Sequence, residues 1–147
     1  MPTTAGVGLP GGSAADRIGA SRIARLATVR PDGTPHVVPI TFALAGDTLV
    51  TAVDAKPKRT TNLQRLRNLR ANPAVSIVID QYDDDWAALW WVRIDGRAEI
   101  LEEGPVWNRA VEALIAKYAQ YRETAPAGPV IVVHPTRWTA WSARDLA

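Results

Sequence analysis

The 147-residue sequence predicts a mainly β, α+β fold, in which six antiparallel strands form a closed or nearly closed barrel with helices packed outside it. Hairpin turn sequences separate short strand-like segments, and one later segment has clear helical periodicity. Hydrophobic residues make up 47% of the chain, which is typical of a folded domain. The length suits one core. We therefore predict a flexible tail over residues 1–12 and a single β-barrel domain over residues 13–147.

The first part of the domain is predicted to contain a short helix and three strands. Ser13 can cap a helix that ends near Ile23. Strands are expected over residues 25–30, 35–44 and 48–53, separated by the turn sequences Pro31-Asp32-Gly33 and Ala45-Gly46-Asp47. Pro39 has no N–H to donate to a sheet, so its strand must be an edge strand or be bulged there.

The second part alternates helices with longer strands. Thr60 or Thr61 can cap a helix over residues 62–71, which Asn72-Pro73 ends. A strand over 74–80 and an acidic loop over 81–85 precede a long strand or tight hairpin over 88–101. The clearest helical pattern follows, with apolar side chains at Trp107, Ala110, Val111, Leu114, Ile115 and Tyr118. The last strand covers residues 130–133 and continues through Trp138 and Trp141.

Several classes of function are disfavoured by composition. The chain has no cysteine, so it has no disulfide, thiolate nucleophile or cysteine-ligated metal. His36 and His134 lie too far apart to suggest zinc, and consecutive aspartates in the 81–85 loop favour a solvated loop over a metal site. No metal is therefore predicted. The longest apolar run is six residues and no secretory signal is evident, so we expect a cytoplasmic protein without a membrane partner.

Positive charge is concentrated in one segment. Six cations and no acid lie between Asp54 and Asp80, whereas the rest of the chain carries 11 cations and 15 acids. Three of the six, in Lys56-Pro57-Lys58-Arg59, immediately precede a predicted helix N-terminus, where unpaired N–H groups and the helix dipole favour an anion. This chemistry suits a phosphate, although a solvated helix start explains it equally well. Nucleic acid is not expected, because no aromatic residues interleave the basic ones.

The ordered set of motifs resembles the pyridoxamine-5'-phosphate-oxidase-like split β-barrel superfamily. The first hairpin runs from Arg25-Leu26-Ala27-Thr28-Val29 through Pro31-Asp32-Gly33-Thr34-Pro35-His36. The basic segment followed by Ala71-Asn72-Pro73-Ala74-Val75-Ser76 is similar to the phosphate-binding loop of its deazaflavin-dependent branch. Asp83-Asp84-Asp85-Trp86 and Leu89-Trp90-Trp91-Val92-Arg93 resemble one actinobacterial subfamily of coenzyme F420-dependent enzymes, the flavin/deazaflavin oxidoreductase B branch. The similarity covers roughly residues 15–143.

The resemblance implies a six-stranded split barrel of the FMN-binding-protein type, with a cofactor in a groove of a homodimer. The residues that it places beside the cofactor ring are His36, Val37, Val38, Pro39 and Thr41, with Thr51 beneath the ribityl chain. Those that it places around the phosphate are Lys56, Lys58, Arg59, Thr60 and Asn62. The partner subunit is expected to contribute Trp86, Trp90 and Trp91 to the site. Trp90 and Trp91 are neighbours in a strand and point to opposite faces, so one of them is expected in the core.

The implied function is an F420-dependent oxidoreductase that transfers a hydride from the reduced deazaflavin to an unsaturated or conjugated organic acceptor. His36 is the first candidate for proton delivery, because the unperturbed pKa of histidine lies near neutrality. Two alternatives keep the fold: an FMN-binding oxidase or haem-utilisation relative, and a non-catalytic F420 carrier. The cations that continue to Arg70 favour F420, whose tail carries carboxylates beyond the phosphate, although Arg65, Arg67 and Arg70 are individually expected to face solvent.

Overall fold

The computed structural model describes residues 3–53 and 63–144. Eight strands lie in these ranges: β1 (Thr4–Val7), β2 (Ala24–Val29), β3 (Pro35–Ile40), β4 (Ala43–Ala45), β5 (Thr48–Ala52), β6 (Ala74–Gln81), β7 (Trp90–Leu101) and β8 (Val130–Ser142). The helices in the same ranges are α1 (Gly12–Ala20), α2 (Gln64–Ala71), α3 (Pro105–Lys117) and α4 (Ala119–Glu123), with a short 3-10 turn at Trp86–Ala88.

The strands form one antiparallel sheet in the order β3-β2-β6-β7-β8-β5-β4. Strand β8 is long enough to pair with β7 on one side and with β5 and then β1 on the other. A register shift between Asp95 and Gly96 bends the β7–β8 ladder, and the sheet curls into a split β-barrel with helices on its outside. The predicted fold class is therefore confirmed.

Two apolar cores follow from the alternation of side chains along the strands. The interior of the curled sheet holds one core, which includes Leu26, Ile77, Ile94 and Ile131. The outer face of β5 and β8 is covered by α3, whose Ala110, Val111 and Leu114 pack against Val50, Val130 and Val132. The helical periodicity predicted around Trp107 to Tyr118 is confirmed, because Ala110, Val111 and Leu114 are buried on α3 and the partly buried Trp107 and Ile115 pack beside them.

Three expected boundaries differ from the structure. The predicted strand over residues 35–44 is interrupted after Ile40, because the Phe42 N–H donates to the Tyr118 hydroxyl instead of to a neighbouring strand. Helix α1 has Gly11 as its N-cap instead of Ser13, and α2 starts after Leu63, so neither Thr60 nor Thr61 is its cap. Of the two alternatives for residues 88–101, the long strand is confirmed, because β7 runs without a turn from Trp90 to Leu101.

The segment expected to be a flexible tail contains a strand. Strand β1 pairs with residues 137–140 of β8, and an added Cβ at Gly6 would lie 2.5 Å from the Trp138 indole nitrogen. Only glycine leaves room for the Trp138 indole at this position, so β1 can pair with β8 although its own sequence has no apolar alternation. The interruption of the 35–44 segment and the addition of β1 raise the predicted six strands to the eight described. Strand β3 is an edge strand, as Pro39 requires.

Candidate functional site

A cavity of about 260 Å³ lies where the end of β3 meets β5. Its lining residues come from the loop after α1, from both strands and from the first turn of α2: Arg22, Ile23, Pro39, Ile40, Thr41, Thr51, Ala52 and Arg65. Ile23, Pro39 and Ile40 provide apolar surface, and the two threonines provide hydroxyl groups. Both charged lining residues are arginines, so the cavity suits a ligand that combines a flat apolar part with negative charge.

Hydrogen bonds from two directions fix the threonine wall of the cavity. The buried Thr51 hydroxyl donates to the Thr41 carbonyl over 2.6 Å, which ties β5 to the end of β3. On the other side, the Thr41 and Tyr121 hydroxyls are 2.9 Å apart. The wall is therefore held by the sheet and by α4 together.

Tyr118 organises the adjoining part of the rim. Its hydroxyl accepts from the Phe42 N–H at 3.1 Å and lies 2.8 Å from the Arg22 carbonyl and 3.0 Å from the Phe42 carbonyl. A phenol has one proton to donate, so the two carbonyls share it. Burial raises the pKa of Tyr118, which keeps the hydroxyl protonated for this role. The C-terminus of α3 thus sets the position of the Arg22 backbone.

Helix α2 is anchored by a buried amide. Asn68 is fully buried and donates through Nδ2 to the Thr28 hydroxyl at 2.9 Å, while its Oδ1 accepts from Gln64 Nε2 at 2.7 Å. A buried amide with both ends bonded fixes the rotation of its helix. Arg65, one turn earlier on this helix, is thereby directed into the cavity. The expectation that Arg65 faces solvent is wrong, whereas Arg67 and Arg70 are exposed.

The predicted ring-contact residues separate into two groups. Pro39, Thr41 and Thr51 line the cavity. His36, Val37 and Val38 are not among its lining residues: Val37 is 60% exposed on the outer face, and Val38 packs against the interior core. The division follows position along the strand, because the cavity lies at the end of β3 and the residues from Pro39 onward line it.

The surroundings of His36 lower the pKa of its imidazole. Burial of its ring lowers its pKa, and the nearby Arg30 and Arg65 lower it further. Its Nδ1 is buried and has no hydrogen-bond partner among the residues described. A histidine in this state is a weak proton donor at neutral pH, because little imidazolium is present. Its predicted role in proton delivery stays untested.

The three candidate tryptophans have different environments. Trp90 is a core residue with the guanidinium of Arg17 over its ring. This agrees with the expectation that either Trp90 or Trp91 lies in the core. Trp91 is half-buried on the opposite face, and Trp86 is 69% exposed with its indole N–H 3.5 Å from the Tyr82 hydroxyl. Contact with a partner's cofactor stays a prediction for Trp86 and Trp91.

The predicted phosphate residues Lys56, Lys58, Arg59, Thr60 and Asn62 lie outside the described residues. The residues that flank this segment are informative, however. Ala52 lies four positions before Lys56, Arg65 lies three positions after Asn62, and both line the cavity. Residues on both sides of the basic segment in the sequence therefore belong to this cavity.

Lys117 lies next to this rim, and no carboxylate in the described ranges forms an ion pair with it. Burial, and to a lesser extent Arg22, lowers its pKa to about 8, and its ammonium sits 3.7 Å from the centre of the Phe42 ring. Its Nζ is buried and has no hydrogen-bond partner among the described residues. The ring partly offsets the cost of burying this charge.

Replacing Lys117 with methionine should raise the free energy of unfolding by about 1 kcal/mol at pH 7. This value is smaller than the one that the pKa shift alone would give, because the side chain is only half-buried and solvent screens its charge. The folded pKa of about 8 lies below the ordinary 10.5, so native stability from this group increases as pH rises between those values. The gain from the substitution should therefore shrink between pH 8 and pH 10.5. Denaturant unfolding at both ends of that range measures it, and a constant or absent gain would contradict the assigned cause.

A second, larger cavity of about 750 Å³ lies between the β4–β5 turn and α3. It is lined by mixed charges, including Asp47, Arg109 and Glu112, and contains none of the residues predicted to contact cofactor. In the described part of the chain, no group of three or more His, Asp or Glu side chains is placed to hold a metal ion. No helix within the described ranges is both long and apolar enough to cross a membrane.

The fold and the 260 Å³ cavity lined by Arg22 and Arg65 define a split β-barrel protein with an electropositive site at the edge of the barrel. The chain belongs to the pyridoxamine 5'-phosphate oxidase family, whose model matches residues 13–142. No curated protein matches the chain.

Solved structures with the same fold differ in what their names describe. A conserved hypothetical protein from Mycobacterium tuberculosis is 24% identical, with a TM-score of 0.75 and coverage of 94% of this chain and 88% of that one. A protein named F420 reductase is 28% identical, with a TM-score of 0.62 and coverage of 92% and 100%. The haem storage protein HutZ from Vibrio cholerae is 17% identical, with a TM-score of 0.67 and coverage of 82% and 85%.

Proposed function

We propose that this protein is an F420-dependent oxidoreductase that transfers a hydride from the reduced deazaflavin to an unsaturated or conjugated organic acceptor. One observation carries the proposal. Three residues expected to contact the cofactor, Pro39, Thr41 and Thr51, come together in a cavity that is also lined by Ala52 and Arg65, which lie on either side of the basic segment in the sequence. The similarity to an F420 reductase over nearly the whole chain supports the choice of cofactor.

The residues present fit a flavin-type group. Pro39, Ile40 and Ile23 offer an apolar surface to a flat ring, and the Thr51 hydroxyl fixes the Thr41 backbone by donating to its carbonyl. Arg65 points into the cavity from the helix that follows the basic segment, where the phosphate is expected. The acidic cofactor tail would then continue along the exposed Arg67 and Arg70. FMN ends at its phosphate and has no acidic tail that could extend along this part of the helix.

The size of the cavity favours a site shared between two copies of the chain. Ligand sites commonly measure about 300–1,000 Å³, whereas this cavity measures about 260 Å³ within one copy. The exposed Trp86, Tyr82 and Val37 provide apolar surface that a second copy would cover. We therefore propose a homodimer in which the partner supplies the rest of the groove, including an aromatic wall from Trp86 and Trp91.

The protein's contribution to the reaction is binding, orientation and exclusion of water. The reduced deazaflavin supplies the hydride, so no protein nucleophile is required. The Pro39–Ile40 surface and the threonine wall would orient the ring, and the partner's aromatic side chains would shield the acceptor from solvent. His36 does not line the cavity and its pKa is lowered, so its role in delivering the proton that accompanies the hydride stays a prediction.

Turnover separates this proposal from a carrier that binds F420 without chemistry. Purified protein should accelerate the oxidation of reduced F420 by at least one of a panel of quinones, enones and tetrapyrroles, followed by the return of deazaflavin absorbance. Saturable binding of F420 with no acceleration by any acceptor would favour the carrier. Haem binding with no affinity for F420 would favour haem storage, the function in the name of HutZ.

A further inference from the structure

Arg22 is held at the cavity rim in a fixed orientation. Its Nη1 donates to the Lys117 carbonyl over 2.8 Å, and its guanidinium carbon lies 5.7 Å from the centre of the Tyr118 ring. Its own carbonyl accepts from the Tyr118 hydroxyl at 2.8 Å. Backbone and side chain are therefore both attached to the C-terminus of α3. Since a guanidinium has five N–H groups, most of its donors stay available to a ligand.

The charge of Arg22 is not neutralised by the described part of the protein. No carboxylate in residues 3–53 or 63–144 forms an ion pair with Arg22 or with the neighbouring Lys117. The two cations lie close enough that Arg22 contributes to the lowered pKa of Lys117. Arg22 is exposed and Lys117 is half-buried, so two cations without a described ion-pair partner lie together at the rim of the cavity, an arrangement that favours an anionic ligand.

The phosphate of the cofactor is a poor match for this position. Arg65 acts electrostatically on His36, near the start of β3, and follows the basic segment. Arg22 instead lies near Phe42, which follows the end of β3. The Arg22 carbonyl and the Phe42 N–H both bond to the Tyr118 hydroxyl. The two arginines therefore serve different ends of the site, and a cofactor with its phosphate at the basic segment leaves Arg22 for another group.

We infer that Arg22 binds a carboxylate of the acceptor, so that the substrates are conjugated organic acids. The inference rests on the proposed function, because it assigns the acceptor end of the same site. A planar guanidinium that is already oriented can pair with a carboxylate through two parallel hydrogen bonds. Arg22 is thus a specificity-determining residue, and it takes no part in hydride transfer.

The test uses trans-cinnamate and methyl cinnamate, which share a conjugated system and differ in the carboxylate. Their binding to the full-length, F420-loaded protein is measured by calorimetry, and their reduction is measured where turnover occurs. Native protein should bind the acid at least tenfold more tightly than the ester, and Arg22→Gln should remove this preference. Arg22→Lys should retain part of it. The expected change in turnover is in KM, with little in kcat.

Arg122→Gln is the matched control. Like Arg22, Arg122 is exposed and donates to a backbone carbonyl of α3, here that of Ala116 at 2.8 Å. Unlike Arg22, it does not line the cavity. The control should keep the preference for the acid. Equal binding of acid and ester by native protein, binding of neither, or a preference that survives Arg22→Gln would overturn the inference. A tenfold loss of F420 affinity in Arg22→Gln would also overturn it, by assigning Arg22 to the cofactor. An Arg22-dependent preference without turnover would uphold it while rejecting the oxidoreductase.

Discussion

Replacing Gly96 with alanine is expected to lower the free energy of unfolding by about 3 kcal/mol, because the ladder between the two longest strands has no room for a side chain there. A Cβ at this position would lie 2.5 Å from the His134 carbonyl oxygen and 3.1 Å from Pro135 Cα. Both are backbone atoms next to the register shift, so relief requires the strands themselves to move. The bend that brings β8 around to β5 depends on this contact.

Thermal and denaturant unfolding of Gly96→Ala measure the loss, which corresponds to a fall in Tm of roughly 10 °C for a domain of this size. Gly19→Ala is the control, since Gly19 lies in α1 and a Cβ there meets nothing within 4 Å. That substitution should be neutral or stabilising by up to about 1 kcal/mol. Equal stability of the two variants would contradict the packing described for the bend.

Replacing Thr41 with tryptophan is expected to weaken binding of both F420 and FMN at least hundredfold, about 2.7 kcal/mol. Thr41 lines the 260 Å³ cavity, and an indole there would occupy space that the ring needs. The side chain is exposed at the rim and its hydrogen bond is to the Tyr121 hydroxyl, so the fold should lose little stability. The bond from Thr51 reaches the Thr41 backbone carbonyl and survives the change.

Calorimetric titration is the appropriate measurement, because the added indole would complicate fluorescence. Val7→Trp serves as the control, since Val7 is 89% exposed on β1 and lies outside the cavity. Unfolding of both variants verifies that the fold is intact. If Thr41→Trp folds and binds either cofactor with native affinity, the cavity is not the cofactor site.

The fold was predictable to the extent that local patterns decided it. Turn sequences and alternation placed β2, β5 and β6 within a residue or two, and helical spacing identified the buried face of α3. The sequence did not predict the interruption after Ile40, because it is caused by a hydrogen bond from Phe42 to Tyr118, 76 residues away. Strand β1 was missed for a related reason: its pairing depends on contact with Trp138 instead of on its own composition.

The candidate site shows the same division. Pro39, Thr41 and Thr51 were predicted by resemblance, and they line one cavity. Arg22 has no motif around it, and its position follows from bonds to Lys117 and Tyr118 in a distant helix. Arg65 looked like a solvent-facing helix residue, because the buried Asn68–Thr28 bond that fixes the rotation of α2 has no sequence signature.

Titration of the purified native protein with F420 and with FMN tests the central claim most directly. Tryptophan fluorescence provides the signal, and Arg59→Ala provides the matched change in the predicted phosphate segment. We expect saturable binding of both cofactors, tighter binding of F420, and a loss of at least tenfold, about 1.4 kcal/mol, in the F420 affinity of Arg59→Ala. Equal or tighter binding of FMN would contradict the choice of F420. Absence of binding by either cofactor would contradict the flavin-type site itself.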